Sequence, residues 1–330
     1  MKRPLVLLAC GLLMAACQNL SAGSAGSSSA APGQSAKVSS FITLGTAAGP
    51  SGEATRSQPA NALLIGDDLY LVDAGDGAAA QLTKAGFRVT NVKGLFISHL
   101  HFDHTGGVLA VLGLRMQMNA SETLTIYGPP GTQHFITGLL SAMDPAREAA
   151  YGMPGQSWKA NVEVKELIHD SVVEVQGATI KVAENSHFKI PESSAVSEKA
   201  KSLSFRFDLK DRSIVYTGDT GPSKAVETLA QNADLLISEM MDIPAVLKNI
   251  QKANPGMPQV ALDRIEWHFR AHHLTPVQVG ELAAKAGVER VVVTHMSPNI
   301  KTQVVADGYR SEIARAFDGD ITIANDLDRF

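Results

Sequence analysis

Cysteine is almost missing from this chain. Only Cys10 and Cys17 occur in 330 residues, and both fall in the first seventeen positions. Everything after them has no disulfide, no thiolate nucleophile and no Cys ligand to offer. Any metal site must therefore be built from His, Asp and Glu. Runs of Lys or Arg are missing too. The formal net charge is −4, and removal of Lys2 and Arg3 takes it to −6. Nucleic-acid binders usually carry a basic patch, so the composition argues against such a partner. Disorder of the whole chain is excluded: 45% hydrophobic and 19% charged residues suffice for a sizeable core.

The first residues read as an export signal. Lys2 and Arg3 precede Pro4–Ala16, an uncharged apolar stretch too short to span a bilayer comfortably. Leu13-Met14-Ala15-Ala16-Cys17 resembles a bacterial lipoprotein signal, in which Cys17 is lipidated. The alternative is an ordinary secretory signal cut in the Ala/Gly/Ser stretch that follows. The expected organisation is a signal at 1–17, a flexible Ser/Ala/Gly-rich tether at 18–39, and one folded domain at 40–330. The expected location is the periplasm, with membrane attachment through the lipidated N-terminus.

Within the domain, short apolar runs come in groups. Asn61–Ile65 and Leu69–Val72 predict a hairpin around Gly66-Asp67-Asp68. Lys93–Ser98 predicts a buried strand, Val108–Leu114 a helix, and Leu124–Tyr127 a strand stopped by Gly128-Pro129-Pro130-Gly131. Two further hairpins are predicted, Val172–Val175 with Ala178–Ala183, and Ser202–Asp208 with Ser213–Tyr216. Leu235–Ser238, Val291–Thr294 and Ile321–Ala324 are strands. Thr275 as N-cap and Pro276 at the first helical position open a helix that Gly287 ends. Runs of strands with helices between and after them suit two packed sheets with outer helices better than a doubly wound sheet.

The chemistry concentrates in Phe96-Ile97-Ser98-His99-Leu100-His101-Phe102-Asp103-His104-Thr105-Gly106-Gly107. The chain has ten histidines, and three of them stand in this window with an aspartate. In a loop after a strand, His99 and His101 can turn to one point while Asp103 and His104 turn to another. Imidazole and carboxylate suit zinc, manganese or iron. Three more ligand-type residues follow apolar runs: His187 after Ile180–Ala183, Asp219 after Ile214–Val215, and His295 after Val291–Val293. Strand ends are where a scaffold presents its working loops.

This pattern resembles the metallo-β-lactamase superfamily, whose members carry H-x-H-x-D-H, then His, Asp and His. The C-terminal part is similar to the ribonuclease Z and arylsulfatase-like branch, through Tyr127-Gly128-Pro129-Pro130-Gly131, Tyr216-Thr217-Gly218-Asp219-Thr220, His272-His273-Leu274-Thr275-Pro276 and Val292–Pro298. The resemblance spans about 41–330. It implies an αββα sandwich, two mixed sheets face to face with outer helices. It also implies a first metal on His99, His101 and His187, a second on Asp103, His104 and His295, and Asp219 bridging both. The cofactors implied are two divalent ions, zinc first, with manganese or iron as alternatives. His273 would face the substrate, with His272 as its competitor, and Asp103 would also orient or receive a proton. Asp73 and Thr294 are neighbours that could fix the imidazoles. His134, His169 and His268 have no motif and read as structural.

Two departures shape the expected function. Without Cys, the chain does not fit β-lactamases that use a Cys ligand. Ribonuclease Z enzymes that process tRNA commonly carry a long arm between the isolated His and the bridging Asp. Here His187 and Asp219 are only 32 positions apart. The expectation is a metallo-hydrolase that uses a bridging hydroxide to cleave a small-molecule ester, a phosphodiester or aryl sulfate, with no nucleic-acid partner. Alternatives are a lactonase or other carboxyl-ester hydrolase, a β-lactam hydrolase, and a non-catalytic envelope lipoprotein. The oligomeric state stays open, with a dimer as one option. Apolar residues in 131–163 (Phe135, Met143, Tyr151, Met153, Trp158) and 239–270 (Met240, Met241, Met257, Trp267, Phe269) are expected either to shape the pocket or to pack.

Overall fold

The structure is a computed structural model that describes residues 39–149, 161–190 and 200–330. The expected signal, the expected lipidation of Cys17 and the expected tether up to residue 38 lie outside the described residues, as do Tyr151, Met153 and Trp158. Ser39, the last residue assigned to the tether, is buried, and its amide and hydroxyl donate to the Asp211 carboxylate. No described helix is long and apolar enough to cross a membrane.

Two seven-stranded sheets form the centre. β1 (Ser40–Gly45), β2 (Ala60–Ile65) and β3 (Asp68–Ala74) run antiparallel. β4 (Val92–Phe96), β5 (Leu124–Gly128) and β6 (Val162–Glu166) continue the same sheet in parallel. The second sheet repeats the design. β7 (Val172–Val175), β8 (Ala178–Glu184), β9 (Leu203–Leu209) and β10 (Ser213–Tyr216) are antiparallel. β11 (Leu235–Met241), β12 (Arg290–Ser297) and β13 (Asp320–Ile323) follow in parallel. β14 (Asp328–Arg329) returns to pair with β1. The predicted strands and hairpins are all present.

Helices cover both outer faces. Against the first sheet lie α1 (Ala78–Lys84), α2 (Phe102–Thr105), α3 (Val108–Gln117) and α4 (Thr132–Ala142), and the exposed α5 (Asp144–Glu148) follows α4. With the second come α6 (Lys224–Leu229), α7 (Ile243–Ala253), α8 (Gln259–His272), α9 (Pro276–Ala286) and α10 (Gln303–Ile313). The α9 helix carries the predicted punctuation. Thr275 and Gln278 form a reciprocal capping box, and Gly287 closes the helix at φ 64°.

Alternation explains why the strands read as continuous apolar runs. Leu69, Leu71 and Leu95 pack toward the helices, while Tyr70, Val72 and Phe96 pack toward the other sheet. The inter-sheet layer is aromatic. Phe96 stacks on Tyr127 at 4.6 Å and meets Phe205 and Phe207 edge-on at 5.7 and 5.4 Å. Phe96→Ala is expected to lower the unfolding free energy by about 3–5 kcal/mol, because a rigid layer cannot collapse into the gap. Urea denaturation reads this directly, and a loss under 1 kcal/mol would show that the layer repacks.

Met143 and Met240 are buried in helix-side cores and Phe135 packs against one, so these residues fill the interior rather than a pocket rim. Trp267 stays 54% exposed on α8.

Candidate metal centre

The strands β4, β8, β10 and β12 release their chemistry-bearing loops at one end of the sandwich. After β4 the chain runs through Ser98 and His99, and His101 caps α2, which carries Asp103 and His104 in one turn. Gly106 ends that turn and Gly107 opens α3. Gly107 is closely packed. Its amide donates to the Ala74 carbonyl at 2.9 Å, and a Cβ there would overlap the Gly75 carbonyl. The predicted seven residues come together. Ligand atoms of His99, His101 and His187 lie within 4.8 Å of one another, as do those of Asp103, His104 and His295. Asp219 faces both groups. Its Oδ1 is 3.2 Å from His104 Nε2 and 3.3 Å from His295 Nε2, while its Oδ2 is 3.9 Å from His187 Nε2.

Orphaned atoms test whether these residues fit metal ions. His99 Nε2, His104 Nε2 and Asp219 Oδ1 are buried without hydrogen-bond partners. Leaving such atoms unmatched is costly, and divalent cations at the two groups would satisfy all three. The opposite ring nitrogens are held. His99 Nδ1 is 3.0 Å from Ser98 Oγ, His104 Nδ1 is 2.8 Å from Asp73 Oδ2, and His187 Nδ1 is 3.1 Å from the His272 carbonyl. These contacts turn Nε2 inward, the usual arrangement of an imidazole ligand.

The electrostatics agree. Burial keeps His99 neutral far below its ordinary range and pushes His187 down to about 3. Burial opposes ionisation of Asp219, but His295 and His104 outweigh it and hold the carboxylate charged. Asp103 behaves alike, with His295 and His104 overcoming burial. At His104, burial is outweighed by Asp219 and Asp73, which favour a positive charge there. A cation at Nε2 would take that proton's place. His295 sits at φ 43°, a left-handed conformation uncommon for a side-chain-bearing residue. The next residue anchors it, since the Met296 amide donates to the Thr46 carbonyl.

Sequence reasoning left His272 and His273 in competition, and the structure separates them. His272 contacts His268 and the Lys189 carbonyl. His273 groups with His187 and Asp219, and its Nδ1 is 3.2 Å from both oxygens of Glu239. Burial resists charge on His273, but Glu239 overcomes it and raises its pKa to about 9. Glu239 is a residue the sequence reading missed. It is fully buried in β11 and also accepts from the amides of Thr220 and Leu274. The signal was present, since one carboxylate inside the apolar run Leu235–Met241 needs a partner. Asp73 fixes an imidazole as expected. Thr294 does not: its buried hydroxyl finds no hydrogen-bond partner. His134 joins no ligand group among the described residues, His169 accepts from the Glu184 amide, and His268 pairs with His272.

A sequence profile described as beta-lactamase superfamily domain matches residues 69–296. A ribonuclease Z of Mycobacterium sp. (strain KMS) is 29% identical over 293 residues, covering 87% of this chain and 94% of that protein. A ribonuclease Z of Brevibacillus brevis is 26% identical, covering 71% and 77%. Among solved structures, human short-form tRNase Z superposes with TM-score 0.61 at 20% identity, covering 88% of this chain and 98% of that one. The metallo-beta-lactamase fold protein YhfI from Bacillus subtilis gives 0.62 at 20% identity, covering 89% and 100%.

These relatives overturn two expectations. A small-ester substrate, with its lactone and β-lactam variants, and the exclusion of nucleic acid are both at odds with relatives named for RNA cleavage. Net charge failed as a guide because it averages the whole surface, whereas a phosphate at a metal centre answers to the cations bound there. The short His187–Asp219 span failed because it addresses only one way of gripping RNA. The αββα sandwich stands, as does a centre for divalent metal ions. With a matching profile over more than half its length, the chain belongs to the metallo-β-lactamase superfamily of metal-dependent hydrolases, on the side related to ribonuclease Z.

Proposed function

We infer that the protein is a two-metal phosphodiesterase that cleaves RNA, with zinc as the leading candidate metal. The observation that carries this reading is Asp219. It lies between two triads of ligand-type side chains, with orphaned nitrogens of His99 and His104 turned inward. In this reading His99, His101 and His187 would hold one metal, and Asp103, His104 and His295 the other. The bound ions would supply Lewis acidity and an activated water at neutral pH.

The remaining roles belong to the chain itself. Asp103 Oδ2 accepts from the Gly49 amide at 2.9 Å and is 3.4 Å from His295 Nε2. That grip fixes the carboxylate where it can orient or receive a proton. A Cβ at Gly49 would overlap the Asp103 side chain, so only glycine permits the contact. Glu239 keeps His273 protonated, and its other ring nitrogen is free to donate to a leaving oxygen.

The test is a cleavage assay on a tRNA precursor, using the purified chain loaded with Zn(II) or Mn(II). Cleavage that EDTA abolishes and added metal restores is the expected result. Full loading with two metals and no cleavage of RNA would overturn the reading. Elemental analysis of the protein as purified assigns the metal.

A further inference from the structure

The buried polar group with the most donors in the centre is Asp73, at the end of β3. Its side chain is fully buried, and its backbone sits at φ 58°. Oδ1 accepts from the Ser98 amide at 2.7 Å. Oδ2 accepts three donors: Ser98 Oγ at 2.8 Å, His104 Nδ1 at 2.8 Å and Tyr216 Oη at 2.7 Å. Among the described residues no Lys or Arg pairs with it, and the His104 ring is the one group beside it that can carry a positive charge. A buried carboxylate in that position depends on each donor.

Tyr216 is the unusual member. It ends β10 in the second sheet, is fully buried, and reaches across the sandwich to an acceptor in the first. Three residues later the same segment delivers Asp219. His104 is thereby held from both sides by one stretch of chain. Asp219 Oδ1 faces its Nε2, and the Tyr216 phenol secures the carboxylate that grips its Nδ1. Such outer partners typically carry ~10–100-fold of metal affinity.

We propose that Tyr216 is a positioning residue for the half-site of Asp103, His104 and His295, acting through Asp73. The phenol stabilises the anionic carboxylate, the carboxylate fixes the His104 ring, and the ring presents Nε2 to the metal. His99 reaches Asp73 only through the Ser98 hydroxyl, which lies between its Nδ1 and Asp73 Oδ2, whereas His104 touches the carboxylate directly, so the two half-sites should respond unequally to loss of the phenol. The inference rests on reading the seven residues as a two-metal centre.

The experiment is a Zn(II) titration of apo-protein by calorimetry with a competing chelator, on wild type, Tyr216→Phe, Asp73→Asn and Ser98→Ala. Tyr216→Phe keeps the ring that fills the core. It is expected to weaken one of two metal sites by about tenfold and leave the other unchanged. Asp73→Asn should weaken that site most and the other less, through Ser98, whereas Ser98→Ala should weaken both. Wild-type affinity at both sites in Tyr216→Phe would overturn the proposal. So would equal weakening of both sites, or a lowered apo Tm with unchanged affinities, since each assigns Tyr216 to packing alone. A wild-type titration with fewer than two sites would overturn the two-metal reading itself, a result distinct from two intact sites in the variant.

Discussion

Asp219→Ala is expected to abolish RNA cleavage, by more than about a thousandfold, and to leave at most one metal per chain. The loss should exceed the ~10–100-fold typical of outer partners, because Asp219 faces both triads at once. Its removal takes away the charge that draws His104, His187 and His295 toward one centre. What remains is a set of imidazoles with nothing to hold two cations at short separation. Asp219→Asn tests the charge separately from the shape, and should also fail to hold two metals. Elemental analysis and single-turnover cleavage read the two effects. Two bound metals with near-normal turnover in Asp219→Ala would show that the triads suffice without it.

Glu239→Gln is expected to lower kcat by ~10²–10³-fold while both metals stay bound. The amide oxygen of Gln can still accept from Thr220 and Leu274, so the β11 end keeps its backbone contacts. What disappears is the negative charge that holds His273 protonated. His273→Ala should lower kcat to a similar extent. The double variant should be little worse than either single one, because the two residues act as a unit. A change confined to KM, or loss of metal in Glu239→Gln, would give Glu239 a different role. Single-turnover rates with metal content measured on the same samples separate these cases.

Some of this was open to reading from sequence because its determinants are local. His99, His101, Asp103 and His104 stand side by side, and the helix from Pro276 to Ala286 is bracketed by Thr275, Pro276 and Gly287. The strand-end positions of His187, Asp219 and His295 were legible for a related reason, since each follows an apolar run. Their meeting is tertiary, and the superfamily resemblance supplied it. Glu239 escaped notice because its partners are remote: His273 is 34 positions away and Thr220 is 19. Tyr216 was quoted within a motif, yet its hydroxyl had no visible destination until β3 and β10 were placed opposite each other. Thr294 is adjacent to His295, and adjacency along the chain does not supply a contact: its hydroxyl bonds to nothing. The substrate class went astray for another reason, since it was judged from global charge rather than from the centre.

The repeated design of the two sheets has a further consequence. Each triad takes two ligand-type residues from the first sheet's loop and one from the second: His99 and His101 with His187, Asp103 and His104 with His295. Neither half of the domain could bind an ion as well alone. A cation at either triad is therefore a cross-link between the halves, and its binding free energy adds to their docking by linkage. The relation is reciprocal. The aromatic layer that joins Phe96 to Phe205 and Phe207 holds the same two halves together, so part of the centre's affinity for metal resides in hydrocarbon packing.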